Sequence, residues 1–201
     1  MKPPLLGILL FAYSAFAGDE SRKGTTGAEQ LLIPVGARNI ASAGAFLASA
    51  KGVEAIYYNP AGLAFGRGSE AMFSYMNYIA DINLSYFAGS VTFEALGTFG
   101  LSYKSLQFGD IPVTTFESPD GTGSTFSPSF FTLGCSYARP ITDRVSAGAT
   151  VKLVNESILS TSATGVGVDF GVQYKFQSDL WLGVTIKNIG SIMKYGGTEL
   201  Q

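Results

Sequence analysis

The sequence contains no histidine and a single cysteine, Cys135, among its 201 residues. Without histidine, the chain has no imidazole metal ligand and no Ser-His or Cys-His pair for nucleophilic catalysis. A lone cysteine leaves an exported protein without an internal disulfide. We therefore predict no catalytic residue, no cofactor and no metal site, and an enzyme is the function class that the sequence supports least.

Charged residues are scarce, at 14% of the chain, and the net charge is −2. A weakly acidic balance argues against nucleic acid as a partner. Long apolar runs are also missing: after Ala17, no run approaches the length of about 18 residues that a membrane-spanning helix needs. Because 46% of the residues are nevertheless hydrophobic, the apolar side chains must be dispersed among polar ones.

The first residues, "MKPPLLGILLFAYSAFA", have the features of a secretory signal. They carry one cation, Lys2, then a short apolar run, and they end in Ala15-Phe16-Ala17. This pattern predicts a signal peptide over residues 1–17 and export of the chain. The alternative is a buried N-terminal helix.

Residues 18–68 do not alternate as a strand does. The stretch "GARNIASAGAFLASA" is rich in alanine and predicts a short helix that is broken at Gly44. A second helical turn is predicted to begin at Pro60, with Asn59 as its cap. The turn "YYNPAGLAFG" is unusually apolar for a surface turn.

From about Ser69 onward, apolar and small or polar residues alternate with a period of two. In "TFGLSYKS", for example, Phe99, Leu101 and Tyr103 alternate with glycine, serine and lysine. This period predicts β-strands. The predicted strands cover residues 71–79, 83–93, 98–105, 131–138, 145–156, 165–174 and 180–188.

One face of the predicted strands carries large apolar side chains. The other carries small polar residues instead of the many lysine and glutamate residues on the surface of a soluble sheet. A soluble β-sandwich also alternates, but this composition favours a transmembrane antiparallel β-barrel. The connections differ in length as well. Residues 93–98, 138–144 and 175–179 form short turns, whereas residues 108–128 and 156–163 are predicted to form longer outward loops.

The segment "VGARNIASAGAFLASAKGVEAIYYNPAGLAF" resembles the N-terminal segment of the PorV/PorQ family of outer-membrane barrels, which are relatives of the FadL-type fatty acid transporters. The stretches "FGDIPVTT", "YARPITDRVSAGATVK", "DFGVQY" and "IKNIG" resemble the same family, in the same order. The resemblance covers residues 27 to about 195.

The resemblance implies an all-β fold: a closed barrel of about fourteen strands, of which this chain supplies about seven, with a short α-helical hatch inside. Residues 18–68 are then the hatch, and residues 69–201 are the first half of the barrel. We therefore expect the sequence to be a fragment, and two copies closing one barrel is the less favoured alternative. The Asn59, Pro60, Ala61 and Gly62 turn is expected to act in the hatch, and Ala43, Gly44 and Ala45 to approach the wall closely.

Two further groups of residues are candidates for function. If the strands around residues 159–160 form a hairpin, Lys152 and Asp169 become diagonal neighbours on the inward face. We predict that they form a lumenal polar network with Lys104 and Lys187. The second group is an outward loop, and it comprises Phe108, Asp110, Asp120 and Pro128.

Three functions follow from the resemblance. The first is an accessory of protein secretion, associated with a type IX-like system, which receives secreted cargo proteins or secretion components through its outward loops. The second is a FadL-like channel for hydrophobic small molecules such as fatty acids, in which Asn59 and Pro60 variants alter uptake. The third is a structural surface barrel. In each case we expect the protein in the bacterial outer membrane, in contact with lipid.

Overall fold

The computed structural model describes residues 27–178 and 180–197. The predicted signal peptide, residues 1–17, therefore lies outside the described residues. Among those described, short helical turns come first and β-strands follow. Helices α1 and α2 span Ala37–Ala41 and Ala55–Tyr58, and 3₁₀ turns span Glu29–Leu32, Gly52–Glu54 and Pro60–Phe65. The strands are β1 Ser69–Asn77, β2 Asn83–Phe93, β3 Gly97–Gln107, β4 Ile111–Pro112, β5 Thr125–Phe126, β6 Ser129–Pro140, β7 Val145–Ile158, β8 Thr161–Lys175, β9 Trp181–Gly190 and β10 Gly196–Gly197.

The long strands form one antiparallel sheet in which β1, β2, β3, β6, β7, β8 and β9 are neighbours in chain order. The short strand β10 pairs with the start of β8, and β4 pairs with β5 in a separate two-stranded sheet. Each of the seven predicted strands coincides with a long strand of the sheet. The all-β prediction is thus confirmed at the level of an antiparallel sheet with few helices.

The sheet exposes its apolar face and buries its polar one. We call these the outer face and the inner face. Phe73 on β1 is 70% exposed, Leu101 on β3 is 65% exposed and Val184 on β9 is 54% exposed. Between such residues along the strands, Asp169 is 2% exposed and Gln173 is fully buried. This is the reverse of the arrangement in a soluble sheet, where polar residues face the solvent.

The N-terminal segment, residues 27–68, lies against the inner face. The largest apolar cluster of the described residues joins this segment to β2 and β3. It includes Val35, Ile56 and Leu63 from the segment and Leu84 and Leu106 from the strands. The packing of these side chains, together with polar contacts, holds short helical turns that would not be stable alone. No helix of the described residues is long and apolar enough to cross a membrane.

The alanine-rich stretch forms less helix than its composition predicts. Helix α1 ends at Ala41, before Gly44, and both Ala43 and Gly44 have positive φ angles. The expectation that Ala43, Gly44 and Ala45 approach the wall closely is wrong. Ala43 and Ala45 are exposed, and a Cβ atom at Gly44 would meet nothing within 4 Å.

The prediction of a long loop over residues 156–163 is also wrong. Strands β7 and β8 continue to Ile158 and from Thr161, so only residues 159 and 160 form the turn. Polar cross-strand pairs extend the hairpin, since Asn155 Nδ2 donates to Thr164 Oγ1 at 2.9 Å. Leu159 adopts a positive φ of 53°, as a two-residue hairpin turn requires.

Candidate functional site

The Asn-Pro-Ala turn is held by a buried amide. Asn59 is fully buried, and its Oδ1 accepts a hydrogen bond from the Ala61 N–H at 3.2 Å, so the predicted cap is present. Its Nδ2 donates to the carbonyls of Leu47, at 2.9 Å, and Val172, at 3.3 Å. One side chain thereby joins the turn, the preceding loop and strand β8.

Glycines on the inner face make room for this turn. A Cβ atom at Gly171 would overlap Asn59 Oδ1, and one at Gly148 would overlap the Pro60 carbonyl. On strand β9, a Cβ atom at Gly183 would overlap the Leu47 carbonyl. Because three neighbouring strands lack a side chain at these points, the backbone of the N-terminal segment lies directly on the sheet.

Within the turn, Gly62 allows a close approach of the backbone around Ala50, on the side of the turn away from these strands. A Cβ atom at Gly62 would overlap the carbonyl of Ala50, and Ala61 is fully buried beside it. The four predicted turn residues therefore lie together between the sheet and the rest of the N-terminal segment. The Gly62–Ala50 approach leaves no room for a side chain at residue 62.

The sequence analysis missed three polar side chains that attach the N-terminal segment to the sheet. Gln173 Nε2 donates to the Leu47 and Ala50 carbonyls at 2.9 and 3.0 Å. Glu70 accepts from the Val53 N–H at 2.8 Å, and Glu156 accepts from the Ala28 N–H at 2.7 Å. The sequence pattern that could have identified them is a large polar residue on the strand face where small residues are common.

The structure brings Lys152 and Asp169 together. Lys152 pairs with Gly167 across strands β7 and β8, so Asp169 is its diagonal neighbour. The Lys152 Nζ lies 2.7 Å from Asp169 Oδ1, and the same oxygen accepts from the Asn188 N–H at 2.7 Å. Lys152 Nζ also donates to Asn188 Oδ1. This ion pair is buried, and Lys152, Asp169 and Asn188 come from three neighbouring strands, β7, β8 and β9.

Lys104 and Lys187 lie over the ring of Tyr57. Their nitrogens are 4.9 and 3.9 Å from the ring centroid, a geometry of cation–π attraction. The two ammonium groups are therefore within about 9 Å of each other, where at an effective dielectric constant of about 20 they repel by about 2 kcal/mol. Lys104 Nζ also donates to the Gln30 carbonyl, at 2.6 Å, and to the Ile33 carbonyl.

Tyr57 itself belongs to the N-terminal segment. Its hydroxyl oxygen lies 2.8 Å from the carbonyl oxygens of Leu31 and Ile33. Burial raises the pKa of Tyr57 far above its ordinary value, and the neighbouring Tyr58, Tyr86 and Asp169 act in the same direction. The hydroxyl therefore remains a protonated donor to those carbonyls.

The four residues of the predicted polar network, Lys104, Lys152, Asp169 and Lys187, line one cavity of about 30 Å³ beneath Tyr57. We call them the lysine cluster. In the described part of the chain no group of three or more histidine, cysteine, aspartate or glutamate residues has the arrangement of a metal site.

The long connection, residues 108–128, projects from the sheet between β3 and β6 and contains the small β4–β5 hairpin. Phe108 and the buried Pro128 lie at its base, where the Phe108 ring packs edge-on against Phe130 at 4.7 Å. Asp110 and Asp120 are exposed, and Asp110 accepts a hydrogen bond from Ser127. At the end of the hairpin, the Phe116 side chain is wholly exposed.

An open cleft of about 840 Å³ separates the start of the N-terminal segment from strands β8 and β9. Its apolar lining includes Leu31, Leu32, Val154, Ile192 and Met193. This volume is within the range of sites that bind small molecules.

Comparison with protein families gives one finding. The model of a family described as type IX secretion system protein PorV matches residues 16–200. Searches of curated proteins and of solved structures each give no match to the chain.

Proposed function

Because the chain belongs to the PorV family of type IX secretion system proteins, we propose that it is an outer-membrane accessory of protein secretion. In this proposal residues 1–17 direct export, residues 18–68 form a hatch, and residues 69–201 form part of the wall of a transmembrane barrel. The observation that carries the proposal is the reversed sheet, whose outer face is apolar and whose inner face is polar.

A reversed sheet is stable where hydrocarbon replaces water. Contact of exposed side chains such as Leu101 and Val184 with water is unfavourable, whereas their contact with lipid tails is favourable. In hydrocarbon every backbone N–H and C=O must be paired, and strands achieve this only in a closed barrel. The edges of the described sheet, β1 and β9, therefore pair with further strands when the wall closes.

The long connection is the surface that we propose for cargo. It is the longest connection between strands of the described sheet, and it presents an exposed aromatic ring, Phe116, beside acidic residues. Aromatic residues supply much of the binding energy in protein interfaces. An exposed hairpin with one large apolar side chain suits a transient interaction with secreted proteins.

The test shortens this connection without disturbing the sheet. The Thr122 N–H donates to the Val113 carbonyl at 2.8 Å, and this bond would close a two-residue hairpin if two residues replaced those between Val113 and Thr122. We would replace residues 114–121 by Asn-Gly and measure binding of a purified carboxy-terminal cargo domain from the same bacterium. We expect binding to fall at least tenfold, because the exposed aromatic anchor is lost.

The matched control places the same Asn-Gly pair at residues 159–160, the turn on the same side of the sheet. Leu159 already has a positive φ of 53°, so asparagine fits there. This variant should bind cargo normally. Undiminished cargo binding by the shortened protein would contradict the proposal.

A second candidate function, a FadL-like channel for hydrophobic small molecules, is favoured by the cleft between the N-terminal segment and β8–β9. Leu32 lines this cleft and is 73% exposed, so Leu32→Trp should obstruct it. If the cleft conducts fatty acids, uptake of a fluorescent fatty acid should fall in this variant and remain normal in Leu96→Trp, an exposed position outside the cleft. Equal uptake by both variants counts against transport. If the shortened connection does not reduce cargo binding and Leu32→Trp does not reduce uptake, a structural surface barrel is the remaining function.

A further inference from the structure

The lysine cluster has more positive than negative charge. Lys104, Lys152 and Lys187 line the same small cavity as Asp169, which is the cluster's single carboxylate. Lys104 and Lys152 are 4% and 8% exposed, so water screens these charges little. Three cations, two of them buried, facing one anion are unfavourable unless a further negative charge is bound or a lysine loses its proton.

The one carboxylate already pairs with Lys152. Asp169 Oδ1 holds the Lys152 ammonium at 2.7 Å and the Asn188 N–H at 2.7 Å. Within the described residues, neither Lys104 nor Lys187 forms an ion pair. Lys104 instead donates to two backbone carbonyls, which carry only partial negative charge.

A hydroxyl at the same cavity points to an occupant that accepts hydrogen bonds. Thr132 lines the cavity with the lysine cluster, and it is 6% exposed. Its Oγ1 has no hydrogen-bond partner among the described residues. A buried hydroxyl without a partner is costly, and an acceptor placed in the cavity would remove that cost.

We propose that this cavity binds one small monovalent anion of the halide class, such as chloride. Its volume of about 30 Å³ is small, which favours a compact anion over phosphate, sulfate and organic carboxylates. A water molecule would satisfy Thr132 but would leave the charge of Lys104 and Lys187 uncompensated. The bound anion would link the sheet to the N-terminal segment, because Lys104 also holds the Gln30 and Ile33 carbonyls.

The direct test is anomalous diffraction from crystals of the unaltered protein in sodium bromide. We expect one anomalous peak in the cavity between the lysine cluster and Thr132. Peaks at surface lysines only would identify an adventitious ion and overturn the proposal. Density in the cavity without an anomalous signal would identify water and overturn it as well.

A solution test measures the melting temperature against bromide concentration at constant ionic strength, with gluconate as the balancing anion. The unaltered protein should show a saturable, bromide-specific stabilisation. Lys187→Met should weaken the apparent bromide affinity about tenfold by removing one nearby charge. Asp169→Asn should strengthen it, because Lys152 loses its competing carboxylate.

The matched control is Lys51→Met. Lys51 also lies over an aromatic ring, with its nitrogen 4.3 Å from the Trp181 centroid, but it does not line the cavity. Its bromide dependence should equal that of the unaltered protein. Equal weakening by Lys51→Met and Lys187→Met, or no difference between bromide and gluconate, would refute the anion site.

Discussion

At the scale of single residues, Asn59 and the glycines opposite it determine how the N-terminal segment packs against the inner face of the sheet. The sequence predicted the turn and its cap, because an Asn-Pro pair has a local conformational preference. It did not predict the partners, Gly148, Gly171 and Gly183, since which glycine faces which turn depends on strand register. Alternation alone identifies those glycines only as inward.

Gly171→Ala provides the sharpest residue-scale prediction. The added methyl would overlap Asn59 Oδ1 and approach Pro60 Cδ, and both atoms belong to a turn that is packed on all sides. Overpacking of this kind costs about 1–3 kcal/mol. We expect the free energy of unfolding to fall by about that amount and the N-terminal segment to become more sensitive to limited proteolysis.

Gly167→Ala is the matched control for this prediction. Gly167 lies on the same strand and the same face, but a Cβ atom there would lie 3.8 Å from the nearest atom, Lys152 Cε. This substitution should leave proteolysis of the N-terminal segment unchanged. Similar proteolysis of the two alanine variants would show that the absence of a side chain at Gly171 is not what holds the turn on the sheet.

At the scale of elements, the period of two identified all seven long strands because it reflects the geometry of the backbone itself. The faces were also predictable, as with Lys152 and Asp169, whose diagonal contact required only a turn near residues 159–160. The loop over residues 156–163 was mispredicted, because its serines and threonines are typical of loops. Here they pair across β7 and β8, and the tertiary contacts of Glu156 stabilise the end of the hairpin.

The outer face gives the element-scale prediction. Leu101 lies near the middle of strand β3 and is 65% exposed. If this face contacts lipid, Leu101→Arg should lower the free energy of unfolding in phospholipid vesicles by about 2–4 kcal/mol. At a water-exposed position the same change would have an effect of at most about 0.5 kcal/mol.

Urea unfolding of the vesicle-inserted protein, followed by tryptophan fluorescence of Trp181, would measure this difference. Leu101→Met is the control, because it changes shape but adds no charge and should cost less than about 1.5 kcal/mol. An arginine variant as stable as the methionine variant would mean that the outer face is not in hydrocarbon.

At the scale of the whole molecule, the meander places alternate connections at opposite ends of the sheet. Residues 94–96, 141–144 and 176–180 connect strands at one end, and residues 78–82, 108–128 and 159–160 connect them at the other. Because residues 159–160 form only a two-residue turn, the end of the sheet that carries the long connection also carries short ones. The long connection alone now distinguishes the two ends, and it decides the orientation that we propose.

Outer-membrane barrels direct long loops outward and short turns to the periplasm, so the long connection should face the cell surface. We would introduce Asp120→Cys or Asp143→Cys, two exposed aspartates at opposite ends, in a Cys135→Ser background without other thiols. A membrane-impermeant maleimide should label the first variant on intact cells and the second only after the outer membrane is permeabilised. Labelling of the Asp143→Cys variant alone on intact cells would reverse the orientation and remove the long connection from any contact with secreted cargo.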